Sequence, residues 1–234
     1  IFPAADDYLV DLRRLCDRHG ALLIFDEVQT GFCRTGRFFA CEHSGVVPDI
    51  MALAKSIGGG VYPNGAVLYR GLPVINRFLK KHHDFHPSYD GGSDIGCCVS
   101  LAVIRFMRET RLWEKAERSG ARLYSALEDL RRENPAIIRE VRGRGLMIGI
   151  EYIHEFMGPM MSDALARNGV FAAYSGNAPQ VMRFMPPLVA SDEDIDEIIA
   201  AARAAVAVMK SLLPLALPAA RVPFLLNMLN NERV

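Results

Sequence analysis

The sequence predicts an α/β fold with a mostly parallel sheet, followed by a smaller α+β domain. Two short apolar runs, residues 21–25 and 48–53, are typical of buried strands, and helical or loop segments lie between them. After Thr110 the pattern predicts three helices and several short strands. We therefore expect one domain over residues 1–110 and a second domain over residues 111–234, with an apolar tail at its end.

Helix signals delimit the individual elements. Apolar residues recur at helical spacing over residues 6–19, and Gly20 is placed to end that helix. Pro73 suits the first turn of a helix over 73–81. The same reasoning predicts helices over 97–108, 113–134, 156–167 and 192–213, and strands over 65–69, 137–141, 146–152, 170–173 and 181–184.

Composition excludes several classes of function. The 27 Lys and Arg residues balance the 27 Asp and Glu residues, so no basic surface for nucleic acid or membrane is expected. The 5 cysteines are odd in number and form no C-x-x-C pair, which predicts reduced thiols and a cytoplasmic protein. We also expect no metal site.

A carboxylate and a lysine follow the two apolar runs. Asp26 ends the first run, where a carboxylate removed from water needs a cation or hydrogen-bond donors. Lys55 follows the second run and precedes three glycines, which let backbone approach a ligand closely. An enzyme that uses pyridoxal 5'-phosphate as its cofactor needs such a pair. The lysine holds the cofactor as a Schiff base, and the carboxylate is the partner of the pyridinium nitrogen. Taken singly, Asp26 could instead cap a helix or pair with an arginine, and Lys55 could be a surface lysine.

Further motifs accompany this pair, and together they cover nearly the whole chain except its tail. They comprise Ile24-Phe25-Asp26-Glu27-Val28-Gln29-Thr30-Gly31-Phe32, Arg34-Thr35-Gly36, Pro48-Asp49-Ile50, Ala54-Lys55, Gly58-Gly59-Gly60, Tyr62-Pro63, Val141-Arg142-Gly143, Gly145-Leu146-Met147 and Arg183-Phe184 with Pro186-Pro187-Leu188. In these motifs the chain resembles the class III pyridoxal-phosphate-dependent aminotransferases of fold type I.

The resemblance implies roles for individual residues. Lys55 is the Schiff-base lysine and Asp26 the pyridinium partner, while Val28 packs on the cofactor ring and Gln29 hydrogen-bonds the ring hydroxyl. Arg183 grips a substrate carboxylate through its planar fork of donors, or pairs with a glutamate that lies upstream of Ile1 in relatives. Taken singly, Arg183 could instead be a solvated arginine at a strand end. The residues of the family's phosphate-binding loop include Ser88 and Tyr89, the latter standing where the family has threonine.

The resemblance also implies a function and partners. The expected reaction moves an amino group from an ω-amine or a basic amino acid to a 2-oxo acid, in a homodimer. The same family includes aminomutases, decarboxylases and racemases, which the sequence does not separate from aminotransferases. The chain starts at Ile1, after the family's phosphate cup and ring-stacking aromatic, so we expect an N-terminally incomplete chain. A truncated relative without catalysis is therefore a further alternative.

Overall fold

The computed structural model describes residues 1–83 and 91–220 of the chain. These residues form two compact units, one over Ala4–Glu117 and one that combines Ile1–Pro3 with the chain from Arg118 onward. Groups of helices and groups of strands follow one another along the chain, and the strands form two sheets. This confirms the predicted α/β fold. Among the described residues, we find no helix with the length and apolarity needed to cross a lipid bilayer.

The unit Ala4–Glu117 contains three helices, three strands and the start of a fourth helix. Its elements are α1 (Tyr8–His19), β1 (Ile24–Asp26), β2 (Ile50–Leu53), β3 (Ala66–Tyr69), α2 (Pro73–Lys81), α3 (Asp94–Glu109) and the beginning of α4 (Leu112–Glu133). The predicted bounds of α2 are confirmed, with Pro73 in its first turn. Gly20 ends α1 as predicted, because its left-handed conformation (φ 63°) lets its N–H reach the last carbonyls of the helix.

The first sheet has the order β1-β2-β3. Strand β1 runs parallel to β2, with Ile24 opposite Ile50, and β3 runs antiparallel to β2. The predicted start of β1 at residue 21 is wrong, since the carbonyl of Leu23 accepts from Asp49 and Ile50 before the ladder begins. The expectation of a fully buried strand is also wrong, because β1 lies at an edge of the sheet as described and Ile24 is 60% exposed.

Asp49 ties three segments of this unit together. Its side chain is 5% exposed and accepts hydrogen bonds from the N–H of Leu23 at 2.8 Å, Arg13 at 2.7 Å and Arg70 at 3.2 Å. Burial by itself raises the pKa of the Asp49 carboxyl, but these donors hold that pKa below its ordinary value. The Asp49 carboxylate therefore holds α1 and the end of β3 against the start of β1.

The glycine-rich segment after β2 packs closely on α3. Gly59 has a left-handed conformation (φ 60°), and a Cβ atom there would lie 2.7 Å from Val103. Nearby, the amide of Asn64 donates to Ser100 at 2.8 Å and to the carbonyl of Gly96 at 3.1 Å. These contacts fix the segment that follows Lys55.

The second unit is built on a four-stranded antiparallel sheet of order β4-β5-β7-β6. Its elements are β4 (Ile138–Arg144), β5 (Met147–Tyr152), α5 (Met157–Arg167), β6 (Ala173–Ser175), β7 (Ala178–Phe184) and α6 (Asp192–Ala220). Alternate side chains of β5 and β7, such as Ile148, Ile150 and Met182, are almost fully buried. They form the core of this unit together with buried residues of α5 and α6.

Four predicted bounds in this unit are wrong by three residues or more. Strand β4 ends at Arg144 instead of residue 141, because it continues its pairing with β5, and β7 begins at Ala178 instead of residue 181, because it continues its pairing with β6. Strand β6 begins at Ala173 instead of residue 170, because the N–H of Val170 still closes the end of α5 on the carbonyl of Leu165. Helix α6 continues through Pro214 to Ala220 instead of ending at residue 213. A proline removes one helical hydrogen bond, but the leucines and alanines around it are strong helix formers.

Candidate functional site

The turn after β1 presents the predicted cofactor residues. The chain coils so that the N–H of Gly31 donates to the carbonyl of Glu27 at 3.0 Å. A Cβ atom on Gly31 would lie 2.8 Å from that carbonyl, so the turn requires glycine at this position. Val28 and Gln29 lie within the turn and are both half-buried.

Asp26 stands at the carboxyl end of β1 with its side chain in solvent. Its Oδ1 accepts a hydrogen bond from the N–H of Val28 at 2.9 Å, and it forms no ion pair with any residue of the described chain. The expectation that Asp26 has lost water is therefore wrong in this structure, because the edge strand leaves its end exposed. The alternative of a salt bridge to an arginine is not observed among the described residues.

The next residue, Glu27, is the buried carboxylate of this motif. It is 3% exposed and accepts three hydrogen bonds, from Thr30 Oγ1 at 2.5 Å, the N–H of Ala40 at 3.1 Å and the N–H of Cys41 at 2.8 Å. The same environment raises the pKa of the Cys41 thiol to about 12, through burial first and the Glu27 charge second. Glu27 holds the turn to the segment over residues 40–41, a role that the sequence analysis missed. The sequence signal for this role was Thr30, which stands three residues after Glu27. At that spacing a threonine hydroxyl can donate back to the glutamate across one turn.

Lys55 lies two residues beyond the end of β2. Its backbone has φ 51°, in the left-handed region that residues with a side chain rarely adopt. The conformation turns the chain from the extended Ala54 into a short 3₁₀ turn over Lys55–Gly58. The side chain is exposed and forms no ion pair within the described residues. Strain of this kind costs on the order of 1–3 kcal/mol and is concentrated at functional sites.

The structure places Asp26 and Lys55 at the same end of the first sheet, where β1 and β2 have their carboxyl ends. Asp26 pairs with Ala52 in the parallel register of β1 and β2, and Lys55 follows Ala52 by three residues. In open α/β sheets, ligands bind beyond the carboxyl ends of parallel strands. An exposed carboxylate and an exposed amine at this end of the sheet, neither held by a counter-ion of the described chain, fit a ligand with a basic ring nitrogen and an aldehyde.

Arg183 lies in the second unit, next to the last residue of β7. A row of paired residues crosses the sheet here, from Arg142 on β4 through Gly149 on β5 and Arg183 to Ala173 on β6. The Arg183 side chain is half-buried, and its Nε atom has no hydrogen-bond partner among the described residues. A buried, unsatisfied guanidinium N–H favours an additional acceptor such as a carboxylate.

Arg142, which the sequence analysis did not single out, is held by acidic neighbours on the same face. It is 6% exposed and donates to Glu140 at 2.5 Å and Glu151 at 2.7 Å. Burial raises the pKa of the Glu151 carboxyl, but hydrogen bonds from Arg142 and Arg139 bring that pKa below its ordinary value. Arg142 is therefore held by ion pairs, whereas no ion pair is observed for Arg183 among the described residues; each of the two guanidinium groups keeps one buried nitrogen, Nη2 of Arg142 and Nε of Arg183, without a hydrogen-bond partner there.

Two predicted residues, Ser88 and Tyr89, lie outside the described residues. Their predicted contact with the cofactor phosphate stays a prediction. Within residues 1–83 and 91–220, no three His, Cys, Asp or Glu side chains are grouped so that they could hold a metal ion.

Comparison with known proteins identifies the family of this chain. The class-III aminotransferase family profile matches residues 1–206. An ornithine aminotransferase from Toxoplasma gondii, with partial occupancy of pyridoxal phosphate at its active site, is 36% identical with a TM-score of 0.77, covering 88% of this chain and 48% of its own.

Two further solved structures show the same similarity. An S-selective transaminase from Arthrobacter sp. with alanine bound is 27% identical, with a TM-score of 0.80 and coverage of 88% of this chain and 49% of its own. Acetylornithine aminotransferase from Elizabethkingia anophelis is 30% identical, with a TM-score of 0.74 and coverage of 86% and 49%. The chain spans about half the length of these proteins. With most of its residues matched by one family profile, the chain belongs to the class-III aminotransferases.

Proposed function

We propose that the chain carries the lysine-bearing part of a pyridoxal-phosphate-dependent aminotransferase. The observation that carries this proposal is the placement of Asp26 and Lys55 at the carboxyl ends of adjacent parallel strands. Membership of the class-III family supports it. The left-handed backbone at Lys55 supports it further, because strain at a non-glycine residue persists where the position is functional.

Four residues of the first unit would hold the cofactor. Lys55 would attach it through the ε-amine, and Asp26 would pair with the ring nitrogen and keep it protonated. Val28 would pack on the ring, and Gln29 would donate to the ring hydroxyl. When bound, pyridoxal phosphate supplies an aldehyde that accepts an amino group and a ring that withdraws electrons.

Lys55 would have a second task when it is not attached to the cofactor. Its free amine would accept the proton from the α-carbon of the amino donor and give that proton up again during amino transfer. The exposed position of the Lys55 side chain leaves room for this movement, while the segment behind it is held by its packing on α3. Arg183 would bind the carboxylate of at least one substrate, through the guanidinium N–H that has no partner among the described residues.

We propose an ω-amine or a basic amino acid as the amino donor and a 2-oxo acid as the acceptor. The similarity to an ornithine aminotransferase and an acetylornithine aminotransferase supports a donor with a terminal amine. We further propose a cytoplasmic homodimer. Its support lies in the free thiols of all five cysteines and in exposed apolar side chains on β1 and β3, such as Ile24 and Val67.

The decisive experiment locates the cofactor. Borohydride reduction of the cofactor-loaded protein, followed by peptide mass mapping, should place the pyridoxyl mass on Lys55. Lys55→Ala should abolish the visible absorbance band of the bound cofactor, whereas Lys80→Ala, an exposed lysine of α2, should keep it. Label on another lysine would contradict the assignment.

The same protein tests the reaction class. Asp26→Asn should retain cofactor but slow amino transfer by orders of magnitude, because an amide does not keep the ring nitrogen protonated. Formation of an amine product together with carbon dioxide, or loss of substrate chirality alone, would favour a decarboxylase or a racemase. Failure of the wild-type chain to bind any cofactor would favour a relative without catalysis.

A further inference from the structure

We propose that a pocket within the unit Ala4–Glu117 binds a small aromatic carboxylate. The pocket has a volume of about 530 Å³, within the usual range for small-molecule sites. It is lined by Arg37, Phe38, Glu42, Ile104, Arg108 and Trp113. None of these residues is among those proposed for the cofactor or the substrate, and the inference does not depend on the proposed transaminase activity.

A strained loop builds one wall of this pocket. Phe32 and Cys33 both have left-handed backbones, with φ 55° and 71°. The loop closes where the N–H of Cys33 donates to the carbonyl of Phe38 at 3.1 Å and the N–H of Gly36 donates to the carbonyl of Cys33 at 3.1 Å. This closure fixes the backbone on either side of Arg37.

Aromatic rings make that wall rigid. Phe38 lies edge-on to Phe32 at 5.8 Å between ring centroids, to Phe39 at 5.0 Å and to Trp113 at 6.2 Å. Such contacts fix ring orientation beyond simple burial. Phe38 and Trp113 are half-buried, so part of their surface stays open to a ligand. Ile104 adds an aliphatic side chain to the same lining.

The charges in the pocket favour an anion. Arg37 and Arg108 are exposed, and neither forms an ion pair with a residue that the structure describes. The single carboxylate of the lining, Glu42, accepts from the N–H of Phe39 at 3.2 Å and is partly engaged there. The formal charge of the lining is therefore +1, which matches a monoanion. A dianion such as phosphate would bring a second negative charge toward Glu42.

The ligand class follows from these two properties together. A planar apolar body suits the rings of Phe38 and Trp113, and a carboxylate suits the guanidinium groups, which bind it by paired hydrogen bonds. An aromatic carboxylate supplies both in one molecule, whereas a neutral arene lacks the anion and an inorganic anion lacks the apolar surface.

Trp113 is the only tryptophan of the chain, so its fluorescence reports this pocket alone. We would titrate the 234-residue protein with 3-nitrobenzoate, a quencher of indole fluorescence, and in parallel with neutral 3-nitrobenzamide. The expected result is saturable quenching by the acid and about tenfold weaker binding of the amide. Arg37→Gln and Arg108→Gln should each weaken the acid several-fold, and Arg77→Gln, an exposed arginine of α2, should leave it unchanged.

Three results would overturn the proposal. One is quenching that rises linearly with concentration, as for free N-acetyltryptophanamide under the same conditions. Another is equal binding of acid and amide. The third is an unaltered dissociation constant in both pocket variants while circular dichroism reports a folded chain. Raising the salt concentration should weaken binding of the acid and not of the amide, since the guanidinium groups are exposed.

Discussion

The substitution Glu27→Gln should destabilise the unit Ala4–Glu117 more than its small chemical change suggests. The Glu27 carboxylate receives two donors on Oε2, from Thr30 and Ala40, and one donor on Oε1, from Cys41. A glutamine offers one carbonyl oxygen in the same space. If that oxygen keeps Thr30 and Ala40, the amide nitrogen faces the buried N–H of Cys41, and two donors oppose each other.

The magnitude follows from these three hydrogen bonds. Replacing a charged by a neutral acceptor weakens each of the two retained bonds by roughly 1 kcal/mol, and leaving the Cys41 N–H unsatisfied costs on the order of 1–3 kcal/mol. Relief from burying a charge offsets part of this cost. We expect a net loss of about 3 kcal/mol in the free energy of unfolding, which lowers the urea midpoint by roughly 1.5 M for an m-value of about 2 kcal/mol/M.

Urea denaturation followed by Trp113 fluorescence measures this loss, because Trp113 lies in the same compact unit. Glu42→Gln is the matched control, since Glu42 is exposed and accepts one hydrogen bond, so its loss should stay below about 1 kcal/mol. A midpoint for Glu27→Gln within about 0.3 M of the wild type would refute the structural role assigned to Glu27.

Three other substitutions test the packing and the charges. Tyr152→Phe should leave stability unchanged or raise it by about 1 kcal/mol in thermal unfolding, because the fully buried Tyr152 hydroxyl has no partner among the described residues; a clear loss would reveal an acceptor. Gly158→Ala should cost more than about 3 kcal/mol, since its Cβ would lie 1.7 Å from the Pro179 carbonyl, whereas Gly176→Ala meets no atom within 4 Å and serves as the control. Asp49→Asn should lower stability at pH 7 and flatten its acid dependence: the pKa of Asp49 is lowered in the folded state, so its contribution is present above the unfolded pKa of about 4 and is lost as the pH falls. An unchanged pH profile in urea titrations would contradict that assignment.

Local signals predicted helix ends where a residue with a strong backbone preference stands, but the predicted start of α3 at residue 97 is wrong, since α3 begins at Asp94 after the cap Ser93. Pro73 and Gly20 mark helix ends through their own backbone preferences, so the sequence alone placed those ends. Strand bounds depend on a partner instead. Strand β1 begins where its ladder with β2 begins, and β6 begins only after Val170 has closed α5 on Leu165. A single sequence does not contain that pairing, which is why both strands were placed about three residues early.

The candidate site likewise has features that the sequence predicted and features that depend on long-range contacts. The positions of Asp26 and Lys55 at strand ends followed from the apolar runs that precede them, and the parallel register of β1 and β2 was the missing fact that places them at one end of the sheet. The solvent exposure of Asp26 could not be predicted from the sequence. An apolar run predicts a buried strand whether that strand lies inside the sheet or at its edge. Long-range hydrogen bonds, such as that from Cys41 to Glu27, leave no periodic trace in the sequence.

The adjacent carboxylates Asp26 and Glu27 combine a proposed role in cofactor binding with an observed role in holding the turn. Glu27 directly follows β1, and its N–H still donates to the carbonyl of Ala52 at 2.9 Å, so the side chains of Asp26 and Glu27 point to opposite sides as successive residues of a strand do. One is exposed beyond the strand end, and the other is 3% exposed and held by three donors. Exchanging their roles would leave a buried carboxylate without donors and remove the exposed charge that the proposed ring nitrogen needs. The order Asp-Glu, followed by Thr30 and Gly31, is therefore required by the turn as well as by the proposed role of Asp26.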